Sequence, residues 1–234
     1  MLVNSFDTKY ASTALKFESL DNIFTSLLSR NNKFKRIFTS VLENKSLSKE
    51  EKVKLRSDIT GQVLNTVITH DPKSRHCLYY MGDIFREDLI NNEIKQYRQH
   101  GLEIINYPKN ESFEQVIKIL DNLLKKILKN NYIFIFTDPK LKNKSKFIID
   151  TKVKKNQINS FINTFKAISK SPYEINLESN FFSQDYHQDI FFYVYSVKSK
   201  KILAQGGGYH YSKNKSKIDG FGFSCNVDNL SELI

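Results

Sequence analysis

Between Val197 and Lys201 the chain has three residues in which to turn. The segments on either side, 189–197 (DIFFYVYSV) and 201–206 (KILAQG), are rich in β-branched and aromatic or aliphatic residues and read as strands. Parallel strands need a crossover of roughly a dozen residues or more, so these two can pair only as an antiparallel hairpin. Residues 76–86 (HCLYYMGDIFR) and 95–105 (KQYRQHGLEII), joined by the polar loop 87–94, are constrained in the same way. A further strand is expected at 220–227 (GFGFSCNV). The clearest helix is 111–130, with apolar residues at 113, 116, 117, 119, 120, 123, 124, 127 and 128, and strand 132–137 (YIFIFT) follows it. Helices are also expected over 13–30, 58–69 and 157–169, strands over 36–43 and 53–57, and a last helical turn in DNLSELI. The pattern is α+β: a mostly antiparallel sheet flanked by helices.

At 234 residues and 40% apolar content the chain can bury a full core, and 1–234 is read as a single domain. The Lys-rich stretch 138–156 is a candidate flexible insertion. Two cysteines, Cys77 and Cys225, exclude a disulfide framework and a four-cysteine zinc site. His70, His76 and His100 lack metal-ligand spacing and are expected at the surface or in a cleft. Neither a metal nor a cofactor is expected. No apolar run approaches the ~18 residues of a membrane span, and the N-terminal sequence is not that of a signal peptide, so a cytoplasmic protein is expected. The net charge of +11 comes mainly from lysines scattered through Asn- and Ile-rich sequence, which reads as a solvated surface rather than a nucleic-acid footprint.

Four stretches carry chemistry. In LRSDITGQ (55–62) a strand runs into a helix, placing Asp58 and Thr60 near a helix N-terminus, where plain capping is the alternative role. In YYMGDIFRE (79–87) a strand ends on Arg86, whose fork suits a carboxylate. In QYRQHGLEII (96–105) Gln99 and Glu103 share one strand face, and Glu103 suits an ammonium or an imidazole N–H. Arg86 and Glu103 are expected to be neighbours across the antiparallel pair. The fourth stretch is DYHQDIFFYVY (185–195) with AQGGGYHY (204–211) and GFGFSCNVDNL (220–230). Its consecutive glycines allow close backbone approach.

The order of these stretches resembles the catalytic core of class II aminoacyl-tRNA synthetases, in particular the histidyl branch. LRSDITGQV is similar to that branch's LRPDxTxQ segment, YYMGDIFRE to its motif 2 and QYRQHGLEII to its return strand. DYHQDIFFYVY is similar to its histidine-binding DYYTGxVFEVY, AQGGGYHY to its GGRYD, and GFGFSCNVDNL to motif 3. The resemblance implies that Asp58, Thr60 and Gln99 face the α-ammonium of histidine. It places Arg86 at the carboxylate and Glu103 and Tyr209 at the imidazole, with His187 in the second Tyr position. An inherited scaffold without a ligand is the alternative.

The departures bear on activity. Where the family has an Arg, this chain has Asn229, Phe182 and Gly208; the motif 1 Pro falls at Ser40. Activating an amino acid with ATP needs fixed cations on a developing pentavalent phosphate. No anticodon-binding domain is expected. These features resemble the regulatory subunit of the short-form ATP phosphoribosyltransferase, a non-catalytic paralogue needed for the first step of histidine biosynthesis. The partner implied is the short catalytic subunit, with histidine feedback shared between the two. A synthetase-derived RNA-binding or regulatory module is the alternative. Motif 1 of the resembled family pairs across a two-fold axis. It implies a dimer with Phe17, Ile23, Phe24 and Leu27 in or under the interface.

Overall fold

The computed structural model describes residues 9–30, 32–44, 53–88, 93–137, 151–176 and 187–234. It has an α+β architecture built on one eight-stranded sheet. The chain begins with helix α1 (Ser12–Ser29), the short strands β1 (Lys35–Arg36), β2 (Leu42–Asn44) and β3 (Val53–Leu55), and helix α2 (Thr60–His70). The long hairpin β4 (His76–Asp88) and β5 (Glu93–Ile105) follows, then helix α3 (Lys109–Leu128) and strand β6 (Tyr132–Thr137). After helix α4 (Thr151–Ile168) come β7 (Tyr173–Ile175), β8 (His187–Ser196), β9 (Ile202–Lys213), β10 (Ser216–Asn226) and helix α5 (Val227–Ser231).

The sheet order is β1-β4-β5-β10-β9-β8-β6-β7. The edge pairs β1·β4 and β6·β7 are parallel and the others antiparallel. Both three-residue-turn strands therefore pair as the connection length requires. The expected strand 36–43 is instead two short pieces, β1 and β2, because Arg56 holds the intervening backbone away from a ladder. Its guanidinium donates to the Thr39 and Ser40 carbonyls and the Thr39 hydroxyl, and its Nε to the Asp83 carbonyl at 2.6 Å. Helix α4 starts at Thr151 and so takes up the end of the 138–156 stretch; residues 138–150 lie outside the described residues.

Period-two alternation divides the central strands into two faces. One face packs against α1, α3, α4 and α5. Its core includes Phe24, Leu102, Phe113, Leu120, Phe134, Phe136, Phe165, Phe192 and Phe221, each fully buried or nearly so. Phe17 and Phe24 of α1 point into this core, Ile23 and Leu27 pack against it, and Leu15 is an exposed large apolar residue of that helix. The opposite face is covered at one end by α2, through Val63, Leu64, Val67 and Ile68. Beyond α2 that face is mixed, with the polar Glu103 and Gln205 beside a buried aromatic pair, Phe191 and Tyr193.

Candidate functional site

Register fixes which residues share the open face. Glu103 of β5 lies opposite Gly222 of β10, which lies opposite Gly207 of β9, which lies opposite Phe191 of β8. One step along, Tyr80 faces Gly101, Ser224 and Gln205 in turn; in the other direction, Gly220 faces Tyr209. None of the chain's glycines has positive φ, so these positions are glycine for space rather than for backbone conformation. A methyl on Gly222 would overlap the Glu103 carboxylate, one on Gly220 or Gly101 the ring of Tyr209 or Tyr80, and one on Gly82 the Arg56 guanidinium. A methyl on Gly207 would lie 2.9 Å from Cδ2 of Phe191. Gly222, Gly220, Gly101 and Gly82 are thus roofed by a neighbour's side chain, while at Gly207 the Ile190 carbonyl oxygen is nearer still, at 2.7 Å.

Glu103 sits at the centre, 1% exposed. Its carboxylate accepts hydrogen bonds from the Thr60 hydroxyl at 2.9 Å and the Tyr209 hydroxyl at 2.9 Å. The Tyr80 hydroxyl is 3.0 Å from that of Thr60. Burial pushes the Glu103 carboxyl up from 4.5 to about 8; the two hydrogen bonds oppose the rise, and the Asp58 charge adds to it. At pH 7 the group is largely protonated, and a cation placed beside it would favour the ionised form. Asp58 caps α2, accepting the Gly61 N–H at 2.9 Å, so the capping role expected as the alternative is real. Burial also raises the Asp58 carboxyl, against that cap and the charge of Arg86.

Two spaces open on this face. A cavity of about 30 Å³ is lined by Asp58, Thr60, Glu103, Phe191, Gln205 and Tyr209, among others. A cleft of about 750 Å³ lies beside it, lined by Arg86, Gln99, Arg98, Lys201 and Asn229. Gln205 and Ser224 line both, so the two adjoin. The fold therefore brings Asp58, Thr60, Glu103 and Tyr209 together in the cavity, and Arg86 and Gln99 in the cleft. The expectation that Arg86 and Glu103 are cross-strand neighbours fails. Register pairs Arg86 with Lys95 and Glu103 with Leu78, eight residues further along β4, or roughly 26 Å at the strand rise. His187 is placed by register alone, its backbone opposite Tyr209.

Gln99 is 5% exposed, and its Oε1 lacks a hydrogen-bond partner. The residues on either side of it are anchored to α1. Arg98 donates through Nε and Nη2 to the two carboxylate oxygens of Asp21, and the His100 ring lies 2.6 Å from Asp21 Oδ1. Burial alone would raise the Asp21 carboxyl, but its bonds to His100 and Arg98 hold it down at about 2. His100 was expected at the surface or in a cleft. It is 2% exposed and stacks on Phe24 at 4.8 Å, because the even-numbered positions of β5 point into the helix-covered face.

Sequence reasoning missed Gln205, Ser224 and Phe191. Alternation counted from Glu103 through its partners Gly222 and Gly207 would have found all three, but it requires the register. Cys77 and Cys225 are buried as expected, and burial pushes both thiols up. Among the described residues, no group of three or more His, Cys, Asp or Glu is placed to hold a metal ion. Among them also, no helix is long and apolar enough to cross a membrane.

No family model matches the sequence, and no curated protein matches it. Solved structures do match. The whole chain superposes on 83% of a Bacillus halodurans protein described as an ATP phosphoribosyltransferase regulatory subunit/histidyl-tRNA synthetase, with TM-score 0.82 and 15% identity. The fold is class II aminoacyl-tRNA synthetase-like. Apo histidyl-tRNA synthetase of S. aureus matches with TM-score 0.73 and 16% identity, over 100% of this chain and 70% of that one. A chain of the ATP phosphoribosyl transferase HisG:HisZ complex from Thermotoga maritima matches with TM-score 0.69 and 17% identity, over 91% of this chain and 97% of that one. At these identities the likeness is one of fold.

Proposed function

We propose that this chain is a non-catalytic regulatory subunit of ATP phosphoribosyltransferase, and that the Glu103 cavity with its adjoining cleft is its histidine site. The observation that carries the reading is how the cleft's polar groups are used. Arg98 is spent on Asp21, and Lys201 is paired with Glu232 at 2.6 Å. Asn229 stands where the resembled synthetases carry an Arg, and its amide donates to the Ile202 carbonyl at 2.7 Å. A pentavalent phosphate needs cations aimed at it and free to bind it. Of the three cations among its described lining residues, Arg86, Arg98 and Lys201, two are committed to carboxylates of this chain.

In this reading the partner is the short catalytic subunit, and the joining of ATP to phosphoribosyl pyrophosphate occurs there. The regulatory chain works in the cytoplasm, as a dimer within a hetero-oligomer, and transmits histidine feedback. Reconstitution tests it. The catalytic subunit is assayed for phosphoribosyl-ATP formation alone and with this chain, and the chain alone is assayed for histidine-dependent ATP–pyrophosphate exchange. Activation of the partner with no exchange above a buffer blank is the expected result. Exchange by the chain alone would sink the regulatory reading.

A further inference from the structure

The Glu103 cavity carries the chemistry of a ligand site but is small, about 30 Å³ against the roughly 150 Å³ of an apolar cavity that takes benzene. The side chains roofing the glycine floor explain the shortfall, and they are not equivalent. Glu103, Tyr209 and Tyr80 are tied into one hydrogen-bonded chain through Thr60, and Arg56 is fixed by four backbone and side-chain acceptors. Removing any of them breaks polar bonds. Phe191 is different: among the residues lining the cavity, it supplies the apolar ring on the open face, since the Phe223 ring packs against Phe24 on the other face.

We infer that Phe191 is the specificity-determining residue of this cavity: its ring occupies the space over Gly207 through which a flat N–H-donating ring, such as an imidazole, would reach Glu103. The inference rests on the histidine-site reading above and adds the residue that limits it. Three observations support it. A methyl on Gly207 would lie 2.7 Å from the Ile190 carbonyl oxygen and 2.9 Å from Phe191 Cδ2, so the space over that glycine is closed by the backbone of the neighbouring strand and by this ring together. The ring lies outside the main helix-side core and packs edge-on against Tyr193 at 4.8 Å, so it can be trimmed without emptying that core. The remaining lining suits a donor ring: the Glu103 and Asp58 carboxyls, and the Gln205 amide and Ser224 hydroxyl on the side shared with the cleft. Elsewhere, removal of one buried apolar side chain has left a hole of about 150 Å³ that takes a benzene-sized ligand. Here the hole would have a carboxyl floor and would select a ring with N–H groups.

The test titrates imidazole, and separately histidine, into the full chain by calorimetry at pH 7. Wild type is compared with Phe191→Ala, Phe191→Leu and the double variant Phe191→Ala/Glu103→Gln. Imidazole should bind Phe191→Ala at least tenfold more tightly than wild type, with Phe191→Leu between them and the double variant losing the gain. Equal affinity in wild type and Phe191→Ala overturns the inference, whether both bind or neither does. If Phe191→Ala fails to fold, equality between wild type and Phe191→Leu overturns it equally. Wild type binding histidine as tightly as the variants would remove the gate and leave the histidine site standing. Co-purification of the same variants with the catalytic subunit reports on the regulatory reading separately.

Discussion

The two faces of the central sheet are made by alternate residues of the same strands, yet they solve different problems. On β5, Leu102 and Ile104 sink into helices α1 and α3 while Gln99, Gly101 and Glu103 face the open side. The helix face is filled by large rings packed edge-on and stacked, such as Phe134 with Phe136, Phe165 and Phe192. The open face is floored with glycine and roofed by polar side chains whose hydrogen bonds run from β9 through β5 to α2. Burying hydrocarbon stabilises the fold, whereas burying a carboxyl such as Glu103 costs stability unless a partner or a ligand repays it. One face holds the molecule together; the other keeps chemistry in place.

That contrast can be broken or sharpened by substitution. The largest effect is expected on the helix face: Phe134→Ala, at a fully buried ring, should cost about 3–5 kcal/mol, read as a fall in urea midpoint. A cost comparable to that of Phe191→Ala would erase the distinction between the faces. On the open face, Gly222→Ala should cost about 1–3 kcal/mol, the range for overpacking, because its methyl meets both the Glu103 carboxylate and, at 2.5 Å, the Leu102 carbonyl. Shortening the carboxylate in the double variant Gly222→Ala/Glu103→Ser should recover part of that loss, since contacting residues couple. A strictly additive pair would mean that the backbone contact decides the matter.

The smallest expected effect is one of pH. The Glu103 carboxyl is raised from 4.5 to about 8 in the folded protein, so over that interval the native state holds a proton that the unfolded chain has released. Its contribution is complete below 4.5 and is lost as pH rises towards 8. Between pH 6 and pH 7 wild type should therefore lose on the order of 1 kcal/mol relative to Glu103→Gln. Parallel stability curves for the two proteins across that unit of pH would refute the shift.

Much of this fold was legible because its elements are long and periodic. The strand 132–137 is β6 as expected, α3 and α1 agree with their expected spans to within two residues, and the β4–β5 hairpin follows from its short connection. The errors have physical causes. β9 runs to Lys213 rather than stopping at Gly206, because the glycines that look like a break are ladder residues whose side-chain space is taken by neighbours. β1 and β7, of two and three residues, carry no alternation to read. At the site, single positions such as Asp58, Thr60, Glu103 and Tyr209 could be named from the sequence, but distances along the sheet could not. Arg86 was placed beside Glu103 because loop length fixes that two strands pair, whereas register fixes which residues meet.

The glycine floor has a consequence for how such a face can change over generations. A strand position whose side-chain volume already belongs to a neighbour cannot drift alone. Gly222 is bound to the size of Glu103, Gly220 to that of Tyr209, and Gly101 to that of Tyr80. On the helix side, volume-conserving exchanges among apolar residues are individually tolerable, so substitutions there can accumulate one at a time. On the open face the accessible steps are paired, a glycine gaining atoms as its partner gives them up. A new ligand preference would therefore arrive through correlated double changes across adjacent strands.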